Sequence, residues 1–206
     1  MNIDLVIFDL GPQLLVAGPR TEASVEAAFV WTELGDSDDE DVPTSGAFAK
    51  LRALREVRGM SATFSALRTA GMKVAIATGC SRSTVSGVIT RLGWNALVDV
   101  VVSAEDTEGC RPSSFLVRMA MARSGVTAAA RVAKVADTPT GLLEGYAAGC
   151  GVVIAVEQTE RADEDDLLLY PHTHRLATAS LVPELLRRRD GARGLSAAAT
   201  RPSRGP

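Results

Sequence analysis

Two hydrophobic periods alternate along this chain. Leu5-Val-Ile-Phe8 is a short apolar run between Asp4 and Asp9, which predicts a strand buried on both faces, as in a parallel sheet. Val74–Ala77, Leu97–Val102, Arg131–Ala136 and Val152–Val156 read in the same way. Between them the apolar residues recur at helical spacing. The spacing predicts helices over Ser83–Leu92, with Ser81 or Ser83 as N-cap, and over Ser114–Ser124, closed by Gly125. Further helices are predicted over Gly141–Ala148 and, as a short last element, Leu181–Arg188. Strands alternating with helices of this length imply βαβ units and a doubly wound α/β fold around a parallel sheet.

The stretch between the first strand and the second reads differently. Residues 22–34 show helical spacing, and residues 47–70 read as two helical stretches broken near Gly59. Residues 33–41 (ELGDSDDED) hold six acids in nine positions, a run that repels itself and belongs in a solvated loop. From residue 187 to residue 206 the chain has six arginines among Gly, Ser, Ala and Pro, a composition that predicts a disordered tail.

Composition narrows the function. With 206 residues, 46% hydrophobic and 23% charged, the chain can bury one sizeable core. The net charge of −3 excludes a basic footprint for nucleic acid, and 4% aromatic residues leave little for base stacking. No apolar run approaches the ~20 residues that span a bilayer, and no basic leader precedes the first strand. Cys80, Cys110 and Cys150 are too few for a disulfide framework or a zinc knuckle. These features lead us to expect a cytoplasmic protein without nucleic-acid or membrane partners. Lysine is scarce, at positions 50, 73 and 134, and nothing functional is read from that.

In a doubly wound sheet, ligands bind beyond the carboxyl ends of the strands. Asp9 follows the first strand and Thr78-Gly79 the second. Arg111-Pro112 comes after the third and Asp137-Thr138 after the fourth. Two carboxylates could share a hard cation through oxygen, as Mg2+ prefers. Thr78 and Arg111 could hold phosphoryl oxygens, Arg111 through its bidentate fork. Singly, each has a plainer reading: a turn or cap for either aspartate, a strand-end hydroxyl for Thr78, a surface position for Arg111. The conjunction at successive strand ends is what points to chemistry.

The order Asp9, Thr78, Arg111, Asp137 resembles the four motifs of the haloacid dehalogenase superfamily, and more closely its phosphonatase-like hydrolases, relatives of phosphonoacetaldehyde hydrolase. The similar text is DLVIFDL (4–10), ALRTAGMKVAIATGCSR (66–82), RLGWNALVDVVVSAED (91–106), RPSSFLVRMAM (111–121), VADTPTGLLEGYAAG (135–149) and YPHTHRL (170–176). The resemblance implies a core over 1–16 and 58–186 with a reduced helical cap insert at 17–57. It implies that Asp9 is the nucleophile forming an aspartyl-phosphate. Mg2+ would be held by Asp9, the Gly11 carbonyl and Asp137, and the transferring group by Thr78, Gly79 and Arg111. The implied substrate is a small phosphorylated or phosphonate compound. Lys50 becomes a candidate for the cap lysine that phosphonoacetaldehyde hydrolase uses as a Schiff base, against the plainer reading of a surface lysine. Cys80, beside Thr78-Gly79, has no indicated base to activate it, and His172 and His174 read as hydrogen-bonding residues that fix a loop.

The chain departs from the family pattern at several places. Pro12 and Gln13 replace a Gly-Thr pair, and Gly11 stands where many phosphatases carry a second Asp. Ala136 replaces a Gly, Gly141 a further Asp, Phe115 an acid, and Cys110 a Gly. Residues 10–77 must hold the cap, its linkers, a core helix and the second strand, which leaves the cap small. These changes support an alternative expectation, a catalytically lapsed member retained for binding or regulation.

Overall fold

The residues of β1 (Leu5–Asp9) divide their side chains between two cores. Val6 and Phe8 join one apolar cluster with Val74, Ile76, Val135 and Ile154, and Leu5 and Ile7 join another with Ala75, Ala77 and Val132. Leu5 to Phe8 are wholly buried, so this strand has no solvent side, as its apolar run predicts. The computed structural model describes residues 2–17, 54–106, 114–157, 167 and 169–189.

β1 lies inside a six-stranded sheet with β4 (Lys73–Ala77), β5 (Val100–Val102), β6 (Val132–Ala136), β7 (Val152–Val156) and β8 (His174–Leu176). The strand order is β5-β4-β1-β6-β7-β8 and every pairing is parallel. Helices α1 (Met60–Thr69), α2 (Arg82–Leu92) and α5 (residues 182–189) cover the face that holds Val6 and Phe8. Helix α3 (Phe115–Ser124) covers the other, through Leu116, Val117 and Ala120. Helix α4 (Pro139–Ala147) lies on that second face too, its Leu142 packed with Ala136, Val153 and Ala155. This is the doubly wound α/β architecture expected.

The helix boundaries follow local chemistry. Ser81 caps α2 by accepting from the Thr84 N–H, and Gly93, at φ 71°, closes it. Gly125 closes α3 in the same left-handed conformation. The Thr138 side chain caps α4 by accepting from the Gly141 N–H, and Pro139 stands in the first turn, where its missing N–H costs nothing.

Three expectations need correction. Leu54–Glu56, read as part of a helix, is strand β3, paired antiparallel with β2 (Leu15–Ala17), itself unforeseen. Glu56 accepts hydrogen bonds from the Ser61 hydroxyl and from Trp94 Nε1 (3.0 Å), and these tertiary partners outweigh local helix propensity. The helix begins only after Gly59, whose φ of 90° marks the expected break. Leu97 to Asp99 are not strand, because wholly buried Trp94 and a 3-10 turn over Trp94–Ala96 shape the approach to β5. The last helix runs to residue 189, and Arg189 donates to the Gly151 carbonyl (3.3 Å), so residues 187–189 are ordered by the core rather than part of a tail.

Phe64 stacks edge-on between Phe8 (5.2 Å between centroids) and Trp94 (5.0 Å), joining β1, α1 and the Trp94 turn. The β2–β3 ribbon stands at both expected joins between core and insert. The helix expected over 22–34, the acidic run at 33–41, the cap insert between 18 and 53, Lys50, Cys110, Arg111 and the tail from residue 190 lie outside the described residues. Among the described residues, no helix is long and apolar enough to cross a membrane.

Candidate active site

From β1 the chain moves to β4 and β5 on one side, then returns to β6, β7 and β8 on the other. The winding therefore reverses beside β1, and such a reversal opens a crevice at the carboxyl ends of the strands. Asp9 is the last residue of β1, Thr78 follows β4, and Asp137 follows β6. Because these strands are parallel neighbours, the structure brings all three to one edge. Gly11 and Gly79 sit in the loops that leave it.

Asp137 is buried, and its Oδ2 accepts the Gln13 backbone N–H at 3.0 Å. A Cβ on Gly11 would stand 3.4 Å and 3.5 Å from the two Asp137 carboxylate oxygens, so the Gly11 backbone lies directly against them. The Gly11 carbonyl accepts from the N–H groups of Leu14 (2.9 Å) and Leu15 (3.1 Å), which commits both of its lone pairs to the turn. The buried Gln13 side chain donates to the carbonyls of Asp9 (3.0 Å) and Val135 (3.3 Å). It thereby satisfies backbone acceptors where β1 and β6 end.

The Asp9 carboxylate is mostly buried and has a cationic partner. Its Oδ1 accepts from Nζ of Lys134, which rises from the middle of β6 and has no solvent exposure. Lys134 Nζ is also 3.6 Å from Oε2 of Glu144 on α4. Burial alone would lower the Lys134 pKa. The neighbouring Asp9 and then Glu144 carboxylates outweigh it and hold the value above that of an ordinary lysine. Helix α4 leaves room for the pair. A Cβ on Gly141 would fall 2.0 Å from Asp9 Oδ2, and one on Gly145 would fall 2.8 Å from the Lys134 stem.

Thr78 is buried, and its Oγ1 accepts the Cys80 N–H at 3.0 Å. Arg111 is outside the described residues, but the turn leading toward it is pinned. Asp106 accepts from the Ser103 N–H (2.9 Å) and from Arg82 (2.7 Å) and Arg123 (2.6 Å). The Arg123 hydrogen bonds hold the Asp106 carboxyl well below the usual carboxylate range. His172 Nδ1 lies 2.8 Å from the Tyr170 carbonyl, and His174 Nδ1 lies 2.8 Å from Thr173 Oγ1, which is the loop-fixing role expected. Burial, then Arg189, lowers the His174 pKa.

Lys134, Glu144 and Gln13 went unread as site residues. Lys134 did carry a signal: it is the one charge in the strand VAKVA. Among the described residues no group of three or more His, Cys, Asp or Glu gathers to hold a metal. The donor set is two carboxylates, Asp9 and Asp137, at one edge. That set fits a hard divalent cation, which takes one or two carboxylates and completes its shell with water or phosphate oxygen. The Gly11 carbonyl would join only by sharing an oxygen that already serves Leu14 and Leu15.

Residues 35–155 match the model of the haloacid dehalogenase-like hydrolases. No curated protein matches the chain. Among solved structures, a HAD-family hydrolase of Deinococcus radiodurans R1 with bound phosphate and sodium is 20% identical. It superposes with a TM-score of 0.67 over 94% of this chain and 97% of that one. A phosphonoacetaldehyde hydrolase-like protein of Oleispira antarctica is 15% identical, with a TM-score of 0.68 over 92% and 94%. A protein of Thermotoga maritima assigned as a β-phosphoglucomutase is 18% identical, with the same TM-score over 90% and 99%. These likenesses share the fold and do not single out the phosphonatase-like branch.

Proposed function

Since the chain belongs to the haloacid dehalogenase-like hydrolase family, we propose that it hydrolyses a small phosphorylated or phosphonate compound with Asp9 as nucleophile. The observation that carries this reading is the convergence of Asp9, Thr78 and Asp137 at the switch point of the sheet. The phosphate bound to the similar Deinococcus radiodurans protein agrees with it.

In this reading an Asp9 carboxylate oxygen forms a bond to phosphorus, and the bond to the leaving group breaks with its electron pair going to that group. Water then attacks the aspartyl-phosphate, releasing phosphate and restoring Asp9. Thr78 offers its hydroxyl, and Gly79 its backbone, to phosphoryl oxygens, and Arg111 adds a bidentate fork. Asp9 and Asp137 would hold Mg2+, with Gly11 as the expected neighbour, and the ion would supply charge stabilisation when bound. Lys134 supplies a fixed positive charge from beneath Asp9. Gly11 offers no side chain to protonate the leaving group, and such acids typically contribute about 10²–10⁴-fold, so activated esters should react faster than alkyl phosphates.

The test is a panel of phosphate esters and phosphonates assayed with millimolar Mg2+, beside Asp9→Asn. Turnover of an activated ester that Asp9→Asn abolishes supports the reading. Protein that binds no Mg2+ and turns over nothing would leave the lapsed-enzyme alternative in its place.

A further inference from the structure

The Asp9–Lys134–Glu144 cluster is more elaborate than packing requires. A wholly buried ammonium is costly unless it is paired, and every other residue of β6 is apolar. A leucine at position 134 would fill the same space without a charge. Instead α4 is built around the lysine. Its buried residues are Gly141, Leu142, Glu144 and Gly145, and three of these four serve the cluster. Gly141 leaves space for the Asp9 carboxylate, Gly145 for the Lys134 stem, and Glu144 places a second carboxylate 3.6 Å from the ammonium.

We infer that Lys134 is a positioning residue for the hydrolysis: it pins Oδ1 of Asp9 and so sets the rotamer in which the carboxylate meets phosphorus, while Glu144 holds the ammonium in place. The inference rests on Asp9 being the nucleophile, as proposed above. Held from below by a charge that water does not screen, the carboxylate keeps one orientation. Its attacking geometry is then set before substrate arrives, and errors of about 1 Å in such geometry cost about 10²-fold in rate.

The test compares the wild type with Lys134→Met/Glu144→Gln, which removes Lys134 and Glu144 together so that neither of these two is left unpaired, while Asp9, the most exposed of the three, keeps its charge. Lys134→Gln serves as a second variant, keeping a polar end without the charge. Urea unfolding establishes which variants are folded. In a folded variant, kcat for p-nitrophenyl phosphate should fall about 10²-fold with KM within about threefold. A structural ion pair would move the unfolding midpoint and leave kcat alone. Calorimetric titration with Mg2+ provides a readout that needs no turnover. Removing the cation beside Asp9 should tighten Mg2+ binding at least about threefold; the effect of Glu144 is smaller, because the ammonium stands between it and Asp9.

A folded variant with kcat near that of the wild type overturns the inference, as does a loss lying wholly in KM or an unchanged Mg2+ affinity. If the wild type itself turns over no ester, the function proposed above fails. The Mg2+ titration then decides alone whether Lys134 engages Asp9.

Discussion

A Cβ on Gly141 would lie 2.0 Å from Oδ2 of Asp9, so the first turn of α4 and the carboxylate that ends β1 fit together only because residue 141 has no side chain. The same Cβ would lie 2.7 Å from that of Ala136, which cannot swing away. The motif pattern that the sequence resembles has an acid at this position, and here the carboxylate of Asp9 occupies the space. Gly141→Ala should therefore destabilise the fold by about 1–3 kcal/mol, as overpacking does, and should lower kcat by displacing Asp9. Urea denaturation together with steady-state kinetics checks both. An alanine variant with unchanged stability and rate would show that Asp9 does not rest against α4.

Asp137 has two separable tasks. It accepts the Gln13 N–H, and it is proposed to hold the cation. Asp137→Asn keeps a carbonyl oxygen for Gln13 but loses the charge, so it should melt near the wild-type temperature while binding Mg2+ far more weakly. Asp137→Ala also leaves a buried N–H without its acceptor, at a further cost of about 1–3 kcal/mol. Calorimetric Mg2+ titration and thermal melts of the two variants separate these effects.

Trp94 joins the core to the β2–β3 ribbon through Nε1 and Glu56 Oε2 at 3.0 Å. Trp94→Phe keeps the edge-on contact with Phe64 and removes that donor. The lost hydrogen bond should cost about 1 kcal/mol, since Ser61 still donates to Glu56, and the space left in the core by the smaller ring about 1 kcal/mol more. Phe64→Ala removes the ring between Phe8 and Trp94 and should cost about 3–5 kcal/mol. Equilibrium unfolding in urea should rank the two in this order.

The turn before Arg111 should be acid-sensitive. The Asp106 carboxyl is held below the ordinary value of 3.8, chiefly by hydrogen bonds from Arg123. Its contribution is complete above that value and is lost as pH falls below it toward the depressed native value, because the unfolded chain then takes up the proton first. Arg123→Met removes the main cause. The stability gap between wild type and variant should be widest near neutral pH and should narrow below about pH 4. Melting temperatures measured from pH 7 to pH 2.5 check the sign; a gap that widens on acidification would contradict it.

The alternation of elements was legible because its causes are local. A run such as Leu5–Phe8, apolar on both faces and too short for a helix, reads as a buried strand, and Ser81 and Gly125 mark helix ends through their own local preferences. Once the strands are parallel, their carboxyl ends share an edge, so Asp9, Thr78 and Asp137 could be assembled from one-dimensional order alone. The resemblance to haloacid dehalogenases rests on the same order, and the family match, over residues 35–155, bears out the family.

What the tertiary structure decided are the contacts between distant parts of the chain. Lys134 and Asp9 are 125 positions apart, and Gln13 and Asp137 are 124 apart. No local pattern says that the lone lysine of VAKVA turns toward the nucleophile, or that a glutamine out of place in its motif closes the gap between two strand ends. Leu54–Glu56 became a strand for the same reason: its partner, Leu15–Ala17, precedes it by nearly the whole insert. Gly141 read as a lost acid in sequence and in space is the room that Asp9 needs. Periodicity and capping are short-range and can be read along the chain, whereas buried charge pairs and steric vacancies exist only once the sheet and α4 have closed on one another.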